Sequence, residues 1–259
     1  MLSLANNSFD LTAYWTWFLL FVRTEAILMT LPGIGRDEIP EPIRISLAMA
    51  LALLVTLSGP RAMSPETLAG GALMITSEFL LGFIIGALPL FIISSLAIAG
   101  QITSGAIGLG QANMIDPTLG EAEAVLARLE VTIATLTFLL IDGHHVIIHA
   151  IAGVNNGIGI GTFNPDMGIA QLLLNRFGDT FSLAMLVTAP VMATILVTQF
   201  VLGLVTKSVP HVNIFIISLP LTIGLGLYIT IFTLPGMSQH LVHEFGLLEE
   251  LIAQVMFRH

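Results

Sequence analysis

Two apolar stretches late in the chain constrain its fold more than any other feature. Phe181 to Thr206 carries no charged side chain, and neither does Val212 to Leu234. Only Lys207-Ser-Val-Pro-His211 separates them. A spanning helix needs about 20 predominantly apolar residues. Inside a bilayer no water is available to backbone N–H and C=O groups, so such a stretch must bond within itself as a helix. A joint this short returns the chain antiparallel. The two stretches therefore predict a helical hairpin, with Lys207, Pro210, His211 and Asn213 at its turn. Pro190 and Pro220 are expected to bend the two arms, because proline removes a backbone donor and crowds the preceding turn. The single cation at the turn, Lys207, puts a small weight on a cytoplasmic location for it.

Composition extends this to the whole molecule. Of 259 residues 55% are apolar and 10% charged, where a soluble domain carries about 25% charge. Too little polar surface is present to cover the chain in water, which makes it an integral membrane protein. The net charge of −9 leaves no basic footprint for nucleic acid. The absence of cysteine excludes a disulfide framework and cysteine–zinc sites. The opening MLSLANNSFDLTAYW lacks a basic n-region and a clear small-residue cleavage site, so it does not read as a cleaved signal peptide.

About six apolar helical segments emerge in an all-α chain. Leu11 to Leu31 is long enough to span, although Arg23 and Glu25 lie within it, and Pro32-Gly33 ends it. Ile43 to Leu57 is shorter. Thr67 to Ala99 holds one helix and part of another, with Pro89 kinking or breaking it. Glu121 to Glu130 starts a helix that runs on to Ile141, Asp142-Gly143 punctuates, and His144 to Val154 continues apolar. Asp179 is placed to cap the helix that opens the hairpin.

Between these blocks lies GQITSGAIGLGQANMIDPTLGE, residues Gly100 to Glu121. Glycine recurs at Gly100, Gly105, Gly108 and Gly110, interleaved with uncharged polar groups and with Ile107, Leu109 and Met114. Each mid-helix glycine costs about 1 kcal/mol relative to alanine, so the segment reads as neither a helix nor an ordinary surface loop. Irregular backbone at membrane depth survives only when buried in protein or lining an aqueous cavity. At that depth it points to a passage or its closure.

Arg23, Glu25, Glu78, Arg128 and Glu130 fall inside or beside apolar segments. An ionised group at the bilayer centre costs at least about 2.5–3.5 kcal/mol, so these residues must find partners or water. No second acid lies at i±4 from Glu78, and a proton relay needs a chain of sites. Structural ion pairs are the favoured reading. His145 and His149 share a helix face at i, i+4, with Asp142 and His144 near, but no HExxH pattern accompanies them. A polar helix end is favoured over a metal site. GAIGLG and GIGIG lack the strand context and the lysine of a phosphate loop. Gly82-x-x-x-Gly86 places two glycines on one helix face, where another backbone can approach closely, from this chain or a neighbouring subunit. No nucleophile, base and orienting acid are spaced as a triad, and no enzyme, cofactor or metal is expected.

Several of these landmarks together resemble the FliR family of flagellar type III export-gate proteins. Pro32, Pro40 and Arg44 look like its first loop. Glu78-x-x-x-Gly82-x-x-x-Gly86 looks like its helix signature. Ala99-Gly100-Gln101, Gly105 and Asp116-Pro117 resemble its central segment, and Gly143-His144-His145 its GHH turn. The most specific block is Val209-Pro210-His211-Val212-Asn213-Ile214-Phe215 with Leu219-Pro220-Leu221, which is similar to the family's VPxxNxF…PL sequence and looks more flagellar than injectisome.

The resemblance implies an inner-membrane, basal-body core built from P-type and Q-type subunits and one R-type chain. Residues 1–175 would be the P-type-like part and 176–259 the Q-type-like hairpin and tail. The assembled helices would surround a channel, partly above the bilayer plane. Unfolded flagellar proteins would pass through it, driven by other export-apparatus components. Arg23, Glu78 and Arg128 would be candidates for intersubunit pairs. The glycine-rich segment would be a plug, with Gly105, Gly108 and Gly110 as pivots and Ile107, Leu109 and Met114 as its seal. The alternatives are a stand-alone proton-coupled secondary transporter using Glu78 and the His145/His149 pair, for which no inverted repeat is found, and a membrane-embedded metalloenzyme.

Overall fold

Tertiary packing carries glycines into helices that their propensity disfavours, and this sets where the elements end. The structure is a computed structural model and describes residues 11–33, 39–58, 61–109, 122–152, 159–208 and 214–257. Among the described residues there are eight helices and no strands. They are α1 Leu11–Thr30, α2 Glu41–Ser58, α3 Leu68–Ile107, α4 Ala122–Leu140, α5 Gly143–Ala152, α6 Met167–Ser208, α7 Ile214–Gly246 and α8 Leu248–Phe257. The all-α class is as expected. Three lengths are long and apolar enough to cross a membrane: Leu68–Ile107, Met167–Ser208 and Ile216–Met256. The pair Val125–Leu140 and Gly143–Ile151 makes a fourth if it is one broken span. The chain is thus a membrane protein, and among its described residues the candidate spans are fewer than its apolar helical segments. Arg23 and Glu25 lower the mean hydropathy of α1, which is not among the candidate spans.

Two local expectations change, and the expected break at Asp142-Gly143 holds. The segment from Gly100 does not leave the helix at once. α3 continues through Gly100 and Gly105 to Ile107, 40 residues in all, with Pro89 inside it. The reason at Gly100 is packing: a Cβ there would meet the Cα of Ala127 in α4. The close approach compensates the propensity cost. Asp179 lies within α6 rather than capping it. The cap is Asp166, whose Oδ1 accepts a hydrogen bond from the Ile169 N–H at 2.8 Å, as an aspartate just before a first turn does. At Asp142 the chain turns with φ 60°, which separates α4 from α5.

Two compact units divide the chain. The first comprises residues up to Leu90, Asp142–Leu174 and Gly246 onward; the second comprises Phe91–Ile141 and Asn175–Phe245. The first unit is centred on α1, which packs along α2 and against the first half of α3. A Cβ on Gly82 would meet the Arg23 carbonyl oxygen, and one on Gly86 the Thr30 hydroxyl. Both glycines therefore serve a close helix crossing within the chain. Leu19, Leu20, Ile27, Leu81, Ile85 and Leu88 fill this core.

In the second unit the rest of α3 packs on α4, and α6 and α7 form the predicted hairpin arms. The Phe138 and Phe245 rings lie 5.3 Å apart. Arg176 reaches Asp179 at 3.4 Å and Glu244 at 3.5 Å. The arms stay largely uncovered by their own chain. Of the most apolar window, 67% is buried in α3, against 28% in Met167–Ser208 and 17% in Ile216–Met256.

Candidate closure element and its supports

The end of α3 is a built helix terminus. Gly108 has φ 89°, a left-handed conformation that glycine adopts without a Cβ penalty. Leu109 N–H donates to Ser104 C=O at 3.1 Å, and Gly108 N–H to Gly105 C=O at 3.3 Å. This pair of bonds is the Schellman motif, which satisfies carbonyls a helix would otherwise leave open. Of the expected plug residues, Gly105 lies exposed in the last turns of α3 and Gly108 ends the helix. Ile107 is fully buried. Gly110 and Met114 lie outside the described residues.

Ile107 packs with Leu126, Val191 and Ile195, and Leu109 and Ile229 pack against this cluster partly buried. Its carbonyl accepts a hydrogen bond from the Thr222 hydroxyl of α7 at 3.1 Å. A Cβ on Gly226 would collide with the Ile107 side chain. Beside these contacts opens a cavity of about 310 Å³, lined among others by Gly108, Gln199, Gly203, Thr206 and Ser218. Neither Thr222 nor Gly226 stood out in the sequence. The only signal was a hydroxyl and a glycine four residues apart, on a helix that also carries Ser218, Gly224, Thr230 and Thr233.

Arg23, Glu25 and Glu78 find partners in the first unit, whereas Arg128 and Glu130 lie in the second. Arg23 Nε donates to Glu78 Oε2 at 2.5 Å and Nη2 to Oε1 at 3.0 Å. Their side chains are 3% and 0% exposed. The Gly161 N–H also donates to Glu78 Oε1. A bidentate arginine–carboxylate pair is the strongest arrangement these groups can make. Arg23 and Glu78, candidates for contacts between subunits, thus find each other within one chain. Arg44 Nε donates to Glu25 Oε1 at 2.8 Å. There Glu25 Oε2 and Arg44 Nη1 have no hydrogen-bond partner among the described residues. Glu130 is 2% exposed, and its Oε2 has none among them either. Arg128 is exposed on the other side of α4.

At the start of α5, ligand atoms of Asp142, His144 and His145 lie within 4.8 Å of one another. His145 Nδ1 is 3.3 Å from Asp142 Oδ1, a contact across the first turn between two exposed groups. His149 is exposed on the same helix. Of the hairpin-turn residues, Lys207 is exposed in the last turn of α6, where a cation suits the helix dipole. Pro210, His211 and Asn213 lie outside the described residues.

These features define a class: an all-α membrane protein whose buried polar groups tie helices together and whose long C-terminal arms are bare. Comparison with known proteins gives the family. The family model described as "Bacterial export proteins, family 1" matches residues 14–248. A flagellar biosynthetic protein FliR from Caulobacter vibrioides is 33% identical over 226 residues, 85% of this chain and 88% of the relative. Proteins of the same description from Bacillus subtilis and from Pectobacterium carotovorum are each 28% identical, over 85% and 97% of this chain and 85% and 98% of the relatives. The chain belongs to this family of bacterial export proteins, as a component of a flagellar export apparatus.

Proposed function

We propose that the chain is a non-enzymatic subunit of the flagellar type III export gate in the bacterial inner membrane. In this reading it forms the channel core with P-type and Q-type subunits, residues 1–175 taking a P-type role and 176–259 a Q-type role. The segment that follows α3 closes the channel until an unfolded flagellar protein enters.

The observation that carries the reading is the apolar surface of α6. Its 42 residues extend about 63 Å at 1.5 Å per residue. The hydrocarbon core of a bilayer is about 30 Å thick. The uncharged part from Phe181 to Val205 already fills that thickness, at about 38 Å. In this reading Arg176 and Asp179 mark where α6 leaves the lipid tails. Beside and beyond them Phe177, Leu174 and Met167 are still 53%, 64% and 86% exposed. Lipid tails do not reach there, and water is a poor cover for three large apolar side chains. A neighbouring protein is the cover that fits. Such a contact is expected of a subunit in a core that rises above the bilayer plane and not of a stand-alone transporter.

Deleting Gly105 to Gly110 tests the closure role. The assembled complex should then conduct small ions, read as a collapse of membrane potential in cells not exporting protein. Wild-type impermeability of an assembled deletion complex would refute it.

A further inference from the structure

Ile107 is the last residue of α3, and three separate features converge on it. Its side chain is fully buried in a small apolar cluster. Gly226 of α7 has no Cβ in the space that the Ile107 side chain occupies. Thr222, one turn earlier on α7, donates its hydroxyl to the Ile107 carbonyl at 3.1 Å and to the Leu219 carbonyl at 3.2 Å. The Thr222 bond reaches a carbonyl at the helix end, which the helix itself leaves open. Side chain and backbone of one residue are thus held by two residues spaced i, i+4 on one face of α7.

We propose that Thr222 and Gly226 are positioning residues that clasp the end of α3, and that opening the gate requires Ile107 to leave the Gly226 socket. The proposal rests on the closure role given above and adds the contact that holds the closed state. The α3 helix ends at Ile107, and the Schellman pair from Gly108 and Leu109 closes it. Release of one side chain and one hydrogen bond therefore frees the helix end without unwinding α3. The adjoining cavity of about 310 Å³ offers room for that movement, and a Cβ on Gly203 in its wall would meet nothing within 4 Å.

The chain has no native cysteine, so an engineered pair reports cleanly. A Cβ built on Gly226 lies 2.9 Å from the Ile107 Cβ. A disulfide needs about 3.5–4.5 Å, a separation that a shift of several tenths of an ångström supplies. The full chain carrying Ile107→Cys and Gly226→Cys, in its assembled complex in cells, should crosslink on oxidation and stop exporting a reporter substrate. Reduction should restore export. Crosslinked complex that exports at the wild-type rate would show that Ile107 need not move. Absence of the crosslink under full oxidation would show that the contact is not made.

Gly226→Val supplies a second reading. The added side chain should expel Ile107 and make the resting membrane leak ions, and Ile107→Ala in the same chain should restore the seal. Thr222→Val should shift the closed-to-open balance by roughly two- to tenfold, the worth of one hydrogen bond, while Thr222→Ser should behave as wild type. Wild-type permeability in assembled Gly226→Val complexes overturns the clasp. If the Gly105–Gly110 deletion leaks and Gly226→Val does not, the clasp fails and the closure role stands. If neither leaks, the closure role itself fails.

Discussion

Arg23 and Glu78 form a bidentate pair that also takes the Gly161 N–H, whereas Glu25 and Arg44 form one that leaves an atom of each without a hydrogen-bond partner among the described residues. The difference predicts unequal responses to substitution. Removing one member of a fully buried pair leaves an unpaired charge, which costs about 3–5 kcal/mol. Glu78→Leu should therefore lower the yield of folded chain sharply and abolish complex assembly. Arg23→Leu in the same chain should recover part of the loss, since no lone charge then remains. Glu25→Gln should cost much less, because the Glu25 side chain is 22% exposed and the amide keeps an oxygen that can accept from Arg44. Thermal stability of the chain in detergent separates these outcomes. Normal assembly of Glu78→Leu with altered ion conductance would point instead to a relay. All five charges were visible in the sequence as misfits within apolar runs. Their partners were not, because Arg23 and Glu78 are 55 residues apart and no local spacing encodes such a meeting.

At the level of elements, α3 shows where propensity yields to packing. The sequence reads Gly100 to Glu121 as irregular because glycine disfavours helix by about 1 kcal/mol each. The helix nevertheless reaches Ile107, because Gly100 lets α3 and α4 approach to backbone contact at Ala127. Gly108 then stops it through its positive φ. The two glycines predict different failures. Gly100→Val should force α3 and α4 apart and destabilise the second unit. Gly108→Ala keeps the packing but strains a left-handed backbone by about 1–2 kcal/mol. It should lower stability modestly and leave the fold intact. Thermal unfolding of the two purified variants distinguishes them; equal losses would contradict the separate roles. The hairpin arms were legible throughout, because length and lack of charge suffice to define a membrane helix. The cap at Asp166 was not, since Asp179 meets the same composition rule and only the fold shows which aspartate precedes the first turn.

For the whole molecule, the class was legible from composition, and the division into compact units was not. The units interleave along the chain, with α3 passing from one to the other just after Pro89 and α6 just after Leu174. A division by likeness to P-type and Q-type subunits is a different cut, and it concerns assembly. It is at this scale that the bare apolar residues of α6 have to be explained. Leu174 is 64% exposed and contributes little to the stability of the isolated chain, whereas Phe177, 53% exposed, also makes edge contacts with Phe91 and Phe181. Exposed substitutions away from special features change stability by no more than about 0.5 kcal/mol. Leu174→Ser with Phe177→Ser should therefore lower the melting temperature of the purified chain only modestly, by the loss of the Phe177 ring contacts. If a neighbouring subunit covers this surface, the same double variant should lose its partners when co-expressed with the other gate components. Native mass spectrometry reads this directly: the unsubstituted chain should appear as one copy in a large hetero-oligomer, and the double variant largely alone. A hetero-oligomer that forms equally well with both serines would mean that the surface beyond Arg176 is not a subunit contact. A wild-type chain found only as a monomer or simple homodimer would remove the gate reading and favour a transporter acting by itself.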